Sequence, residues 1–394
     1  MSSATEARFA RFARARRWLF ALAAFVVLCA LPLYADAGYL RIGLGVMTGA
    51  VGALGLTILL GHCGQLSLGH GFFLLLGATV YVVASSSSDS TKLGLGLPPL
   101  LGLMLALIAS AAAGMAFAPV AGRLRGIYLG LASLGLIFIG LYLGQYLDAA
   151  TGGTSTGRPV PSFEIFGFSF GSSGDLIIAG VPFGRVERLW YLFLLFLVLS
   201  ILAARRAVRG RPGRAWRAVR DGEASAAAMG IDPSRSKVTA FAVSSAYAGL
   251  AGVMTVLSLT LLKPDETEYG TYGINATIAV LAMVIIGGLG SLWGAVVGAA
   301  IVAGLPLALS LSMPAGTGTA VQAGSFTPLL ITQLLYGVAL VLVMLVEPRG
   351  LAGMASRIRE RMRVRAVTPT AASASAHSPG RSGPSNEDMN GENP

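Results

Sequence analysis

The sequence predicts an all-α membrane protein of about ten transmembrane helices. Three observations carry that expectation. Hydrophobic residues make up 54% of the 394 and charged residues only 12%, with a mean hydropathy of +0.72. Soluble domains carry roughly 25% charge, so too few solvated side chains exist here to cover a globule of this size, and an ordinary cytosolic enzyme is excluded. Second, ten stretches are apolar for about 20 residues, enough to cross a ~30 Å hydrocarbon core at about 1.5 Å per residue. Third, a formal net charge of +11 is concentrated at three places in the chain.

Taken in order, the spans are Trp18–Tyr34, Arg41–Leu60, Leu66–Ala84, Leu100–Val120, Ile127–Leu147, Leu189–Ala204, Val238–Leu262, Asn275–Ser291, Leu292–Ser310 and Leu329–Val346. Residues 1–17 form a basic leader, with Arg8, Arg11, Arg14, Arg16 and Arg17 against Glu6. This leader, the first apolar run and Ala35-Asp36-Ala37 also resemble a signal peptide with its small-residue cleavage site. The run is longer than a usual signal core and a second span follows almost at once, so an uncleaved first span is expected. The eighth and ninth spans meet at Gly288–Trp293 without a polar loop, where one bent helix and two short ones would read alike.

The charges orient the spans. Seven arginines lie between Arg205 and Arg220, and Arg349, Arg357, Arg359, Arg361, Arg363 and Arg365 follow the last span. Cytoplasmic segments carry the excess of Lys and Arg. Six spans separate the first basic cluster from the second and four separate the second from the third. Both numbers are even, so all three clusters fall on the cytoplasmic side with both termini. Residues 18–346 are then the transmembrane domain, with an external segment at 148–188 and a cytoplasmic loop at 205–237. Residues 347–394 are a cytoplasmic tail, rich in Ser, Pro, Ala and Gly from about Thr368 and expected to be largely disordered.

Spans two to five begin outside and spans seven to ten begin inside. Each group holds one Gly-rich stretch, Gly61–Gly77 and Gly287–Gly304. Gly-interrupted segments at corresponding places in oppositely oriented halves point to a transporter built from inverted repeats; general abundance of Gly, 52 residues in all, is the alternative explanation.

Within the first stretch, Gly61-His62-Cys63-Gly64-Gln65-Leu66-Ser67-Leu68-Gly69-His70-Gly71 sets polar side chains among glycines at the edge of a span. Polar groups inside a membrane are costly and tend to line cavities, and Gln65 and His70 can both donate and accept hydrogen bonds. Hydrogen bonding between helices would use the same residues. No carboxylate or further Cys/His accompanies His62, Cys63 and His70, so no metal site is expected. Cys29 and Cys63 are the only cysteines and form no disulfide framework. In the second stretch Gly290, Gly294 and Gly298 recur every four residues. That places them on one helix face, as a packing surface or as pore-lining backbone.

The loop from Gly213 to Asp232 carries Arg214, Arg217, Arg220 and Asp221 three or four residues apart, then an Ala-rich helix former from Glu223 to Met229, and Gly230 as a C-cap before Pro233. A short helix with a charged and a small-residue side is shaped to dock in a partner's groove; the arginines alone would also suit an anionic-lipid anchor. The chain has no G-x-x-x-x-G-K-[ST] phosphate loop, and its spans contain almost no carboxylates to couple protons or sodium. Energy must come from another subunit, or flow is passive.

These residues resemble the bacterial branched-chain amino acid ABC transporter permeases, M-type subunit. Gly64-Gln65-Leu66-Ser67-Leu68-Gly69-His70 is similar to the family's early signature, and Leu124-Arg125-Gly126-Ile127-Tyr128-Leu129 to the next. Thr151-Gly152-Gly153-Thr154-Ser155-Thr156-Gly157 resembles its external turn, and Arg214 through Ile231 its ATPase-coupling loop. Met283 through Gly294 is similar to the late Gly-rich signature and Glu347-Pro348-Arg349-Gly350-Leu351 to the P-R-G-L ending. Position 62 is His where the family often has an aromatic residue, and the tail after Val367 has no counterpart in the family pattern.

The resemblance implies an inverted-repeat, type II ABC importer-like permease fold in the bacterial plasma membrane. It implies a heterodimer with a second permease subunit, two cytoplasmic ATPase subunits below and an extracytoplasmic solute-binding protein above. ATP and Mg would sit on the partner subunits, with no cofactor bound by this chain. The chain would be a transport subunit and not an enzyme, with the lipid bilayer as its medium and no nucleic-acid partner. Expected substrate-pathway residues are Gln65, Ser67, His70, Tyr128, Ser133, Gly287, Gly288 and Ser291. Expected ATPase-coupling residues are Arg220, Asp221, Glu223, Ala224, Met229, Gly230 and Ile231. The cargo would be leucine, isoleucine and valine; urea or short-chain amide permeases share much of this signature, and a self-sufficient channel or facilitator is the reading from another class.

Overall fold

In a computed structural model of the chain, the helices follow the apolar runs. The structure describes residue 23, residues 25–312 except 90–91, 125, 154–155, 166–167, 172–175, 179–180 and 265–271, and the single positions 334, 338, 341, 351 and 353. Residues 1–352 form one unit and residues 353–394 a second, of which only Gly353 is described. Residues 18–22 and 24 of the first expected span, and all but isolated positions of the tenth span and of the tail, lie outside the described residues.

Among the described residues, residues 25–30 are helical and turn through Leu31–Leu33 into α1, Ala37–Leu56. α1 widens into π-helical turns over Thr57–His62. After a non-helical break at 64–69 come α2 (His70–Ser85), α3 (Pro99–Arg123) and α4 (Ile127–Tyr146). Pro99 opens α3 where a missing N–H has no intrahelical partner to lose. Then come α5 (Arg185–Arg209), α6 (Arg211–Asp221), α7 (Glu223–Ala228), α8 (Pro233–Leu259), α9 (Ile274–Gly287) and α10 (Leu292–Ser312). The eighth and ninth expected spans are therefore two helices. Gly288 and Gly290, at φ of 106° and 82°, separate them in a conformation that side-chain-bearing residues resist.

Five helical stretches among the described residues are long and apolar enough to cross a membrane: Ala37–His62, Pro99–Arg123, Ile127–Tyr146, Arg185–Arg209 and Pro233–Leu259. Three apolar helices are shorter, His70–Ser85, Ile274–Gly287 and Leu292–Gly304. The mostly helical fold with several apolar spans is that of a multi-pass membrane protein.

α1 and α8 are the most buried of the long helices, and α3 and α4 the most exposed. α8 packs against α3, α2 and α1; α1 also meets α10, α5 and α9. Small residues permit this closeness, since dispersion and not water drives helix association in lipid. A methyl group on Gly77 of α2 would collide with the backbone of Gly249 in α8, and one on Gly252 with the Leu74 carbonyl. Gly294 and Gly298 press on the α9 backbone at Gly287 and Met283. Gly290 does not share their helix face, because it lies in the turn before α10 begins. The exposed side of α4 carries Tyr128 near one end and stacked Tyr142 and Tyr146 at the other, the spacing of aromatic belts at two membrane interfaces.

The segment between α4 and α5 is not featureless. β1 (Arg158–Pro159) pairs antiparallel with β6 (Leu261–Leu262), with Arg158 opposite Leu262. Two hairpins lie between them in sequence, β2 (Glu164–Ile165) with β3 (Phe168–Ser169) and β4 (Leu176–Ile178) with β5 (Val181–Phe183). Ahead of β1, Gly152, Gly153 and Gly157 all have positive φ. The Thr151 hydroxyl donates to the Gly144 carbonyl at 2.6 Å, and the buried Arg158 donates through Nη1 to the carbonyls of Ala149 and Ala150 at 3.3 and 3.0 Å. Burial pulls the Arg158 pKa below the usual guanidinium value, and these two carbonyls, which belong to the single helical turn Asp148–Thr151, offset that loss of hydration. Those carbonyls explain a cation buried in this segment.

Candidate functional site

The break at 64–69 is built from its own side chains and from α4. Gly64 turns the chain at φ 73°. Ser67 Oγ accepts from Gly69 N–H at 3.3 Å, and the Gln65 N–H reaches back to the Leu59 carbonyl at 3.1 Å. Ser133 of α4 clamps the break: its Oγ accepts from Leu68 N–H at 2.8 Å and donates to the Gly130 carbonyl at 2.9 Å. Ser67, His70 and Ser133 are buried and Gln65 is half-buried. An irregular backbone inside an apolar bundle needs such partners, because no bulk water is there to satisfy it.

Past the break, His70 Nε2 is directed toward Gly52 of α1, where Val280 of α9 and Ala251 of α8 also converge. The neighbouring Gly71 N–H donates to Thr277 Oγ1 at 2.9 Å, so the starts of α2 and α9 are joined. In the second break, Gly287 and Gly288 are buried, and Ser291 Oγ accepts from Gly294 N–H at 3.0 Å to start α10.

The two breaks touch. A methyl group on Gly61 would collide with the Gly290 nitrogen, and one on Gly290 would lie 3.4 Å from the Gly61 carbonyl oxygen. The Gly61 carbonyl also accepts from Arg220 Nη1 at 2.6 Å, while Arg220 Nε meets Asp221 Oδ1 at 3.3 Å. A methyl group on Gly64 would stand 2.7 Å from Arg220 Cγ. Three segments distant in sequence thus share one backbone junction. Arg205 adds a fourth tie, its guanidinium 4.8 Å from the ring centroid of Trp293 at the start of α10.

The loop bearing Arg220 is anchored firmly. Trp216 is buried and its Nε1 donates to Thr239 Oγ1 of α8 at 3.1 Å. Lys237, also buried, pairs with Glu223 at 2.8 Å. Asp232 caps α8 by accepting from the N–H groups of Ser234 and Arg235 at 2.9 and 3.2 Å. What remains outside is a small apolar tip: Ala224, Met229 and Gly230 are exposed, with Met229 at 69%, and Ile231 is half-buried with its N–H on the Ala226 carbonyl at 3.0 Å.

The structure therefore brings Gln65, Ser67 and Ser133 together and sets the break they form against the one carrying Gly287, Gly288 and Ser291. It places Tyr128 apart, 69% exposed at the start of α4. Thr277, Trp216 and Lys237 belong to the same constellation but are missing from the sequence reading. Lys237 was visible as one of only three lysines in a chain whose other basic residues are all arginine. Thr277 had no such signal. Among the described residues no three His, Cys, Asp or Glu side chains gather as a metal site.

Residues 38–344 match the family described as branched-chain amino acid transport system / permease component. The chain is 30% identical over 291 residues to the high-affinity branched-chain amino acid transport system permease protein LivM of Salmonella typhimurium, and 30% identical over 294 residues to LivM of Escherichia coli. Each alignment covers 71% of this chain and 66% of the relative, so the chain spans just under two thirds of the relatives it matches. No solved structure matches it.

Proposed function

The chain belongs to the branched-chain amino acid transport system permease family, and from that premise we propose that it is the transmembrane permease subunit of an ATP-driven importer of leucine, isoleucine and valine. It resides in a bacterial plasma membrane with ten spans in two inverted halves and both termini in the cytoplasm. It pairs with a second permease subunit, rests on two ATPase subunits and receives solute from an extracytoplasmic binding protein.

Transport proceeds by alternating access. Solute enters between the halves near Gln65, Ser67, His70 and Ser133 on one side and Gly287, Gly288 and Ser291 on the other. The ATPases grip the tip formed by Ala224, Met229 and Gly230, and their closure on ATP moves α6 and α7. The observation that carries this reading is the hydrogen bond from Arg220 to the Gly61 carbonyl, since it joins the loop assigned to the motor directly to the broken backbone assigned to the path.

The test is uptake of radiolabelled leucine, isoleucine and valine by cells with and without the gene. Loss of all three on deletion, with rescue by the intact chain, is the expected result. Unchanged amino acid uptake with loss of urea or acetamide uptake would move the cargo assignment. Uptake into ATP-free vesicles holding this chain alone would make it a facilitator.

A further inference from the structure

The contact between the two breaks has a property that packing alone does not require. Gly61 and Gly290 meet backbone to backbone with no room for a side chain on Gly61, yet this contact carries no hydrogen bond of its own. What holds the Gly61 carbonyl is Arg220 Nη1 at 2.6 Å. Arg220 is not deep in the protein: its side chain is 45% exposed, and it lies in the last turn of α6, two residues before the Gly222 that separates α6 from α7. The other end of that loop is fixed differently, through the buried Lys237 and its pairing with Glu223. The loop therefore has one firm anchor, on α8, and one semi-exposed hold, on α1.

We propose that Arg220 is a positioning residue that latches the Gly61 and Gly290 contact shut, closing the end of the path that faces the ATPases, and that motion of α6 and α7 releases it. The latch rests on the permease reading above. Its chemistry is simple. The last carbonyls of a helix lack intrahelical partners and carry partial negative charge. A guanidinium satisfies one of them while its aliphatic stem covers Gly64. Withdrawing the guanidinium leaves Gly61 with an unsatisfied carbonyl beside a glycine turn that can hinge, so the contact opens and water enters. A side chain at Gly61 would wedge the same contact from inside.

The chain supplies a reporter. Cys63 lies two residues beyond Gly61, is a free thiol and is fully buried. Cys29, half-buried, is on the far end of the bundle, where its carbonyl accepts from the Tyr191 hydroxyl at 2.9 Å near the start of α5. The experiment measures maleimide labelling of the full-length chain in membranes with its partner subunits, Cys63 being read in a C29S background and Cys29 in a C63S background. R220A and G61A should each label Cys63 about tenfold faster than the parent, because a charge-assisted hydrogen bond or its geometry has been removed, with R220K between. Cys29 labelling should not change. A parent-like Cys63 rate in R220A or in G61A would overturn the latch, and so would equal acceleration at Cys29, which reports general loosening. The readout needs no solute. Absence of leucine, isoleucine and valine uptake by the parent transporter would instead overturn the cargo and leave the latch standing or falling on its own result.

Discussion

The Lys237 ammonium lies 2.8 Å from Glu223 Oε1, with the lysine side chain 4% exposed and the glutamate 35%. The pair is lopsided. Glu223 can hydrate if it loses its partner, whereas Lys237 has little access to water. Removing one partner of a buried pair is destabilising mainly through the charge left behind.

E223A should therefore lower stability by about 2 kcal/mol, a figure already discounted for the solvent at the carboxylate. K237M, which keeps the apolar stem and removes the charge, should cost less than half as much. Thermal denaturation of the purified chain in detergent measures both. Equal losses would show that the pair contributes as a symmetric surface bridge and that the lysine is not a buried anchor.

Trp216 separates packing from hydrogen bonding at the same loop. W216F keeps most of the buried area and loses the bond to Thr239, so about 1 kcal/mol is expected. W216A also opens a cavity and should cost about 3–5 kcal/mol. T239V tests the bond from the other side and should match W216F. A W216A variant as stable as W216F would mean that α6 is not seated through this ring.

Particular residues show what the sequence could and could not express. Apolar runs and Gly-rich stretches are local properties, so α3, α4 and a break near Gly64 are legible from them, although the third expected span begins at Leu66 and α2 only at His70. Pro99 and Gly126 mark helix starts for local steric reasons. The division of the eighth and ninth spans rests on Gly288 and Gly290 taking positive φ, which glycine permits and does not compel. Contacts between distant segments leave no trace in a single sequence. Nothing near Gly61 announces Gly290, and nothing in the spacing of seven arginines says that Arg220 is the one whose guanidinium reaches the Gly61 carbonyl. The regular spacing of Gly290, Gly294 and Gly298 even suggested one face, because four-residue spacing holds only inside a helix and α10 begins at Leu292. The short strands around Arg158 escaped for the opposite reason: two- and three-residue strands carry no periodicity.

Helix contacts made by glycine give a paired comparison. G77A should drive α2 from α8, since the new methyl would collide with Gly249, at a cost of about 1–3 kcal/mol. G135A, on α4, meets nothing within 4 Å and should be neutral or slightly stabilising. Detergent thermal shifts and expression in membranes report the difference. If both variants behaved alike, close packing of α2 on α8 would not be what those glycines are for.

Gly230 tests the docking tip without disturbing the fold. Its φ is 79° and a methyl group there would meet nothing within 4 Å. A bulky side chain then adds only the left-handed backbone penalty, about 1–2 kcal/mol, and has open space within the chain itself. G230W should insert into membranes and melt within a few degrees of the parent, yet it should lose solute-stimulated ATP hydrolysis almost entirely, because the ring fills the space a partner surface would occupy. G230A, with the same backbone strain and almost no bulk, should keep most of that activity. Matching losses in the two variants would assign the effect to strain; full coupling in G230W would remove the tip from the ATPase contact and return the arginine-rich loop to a lipid-binding role.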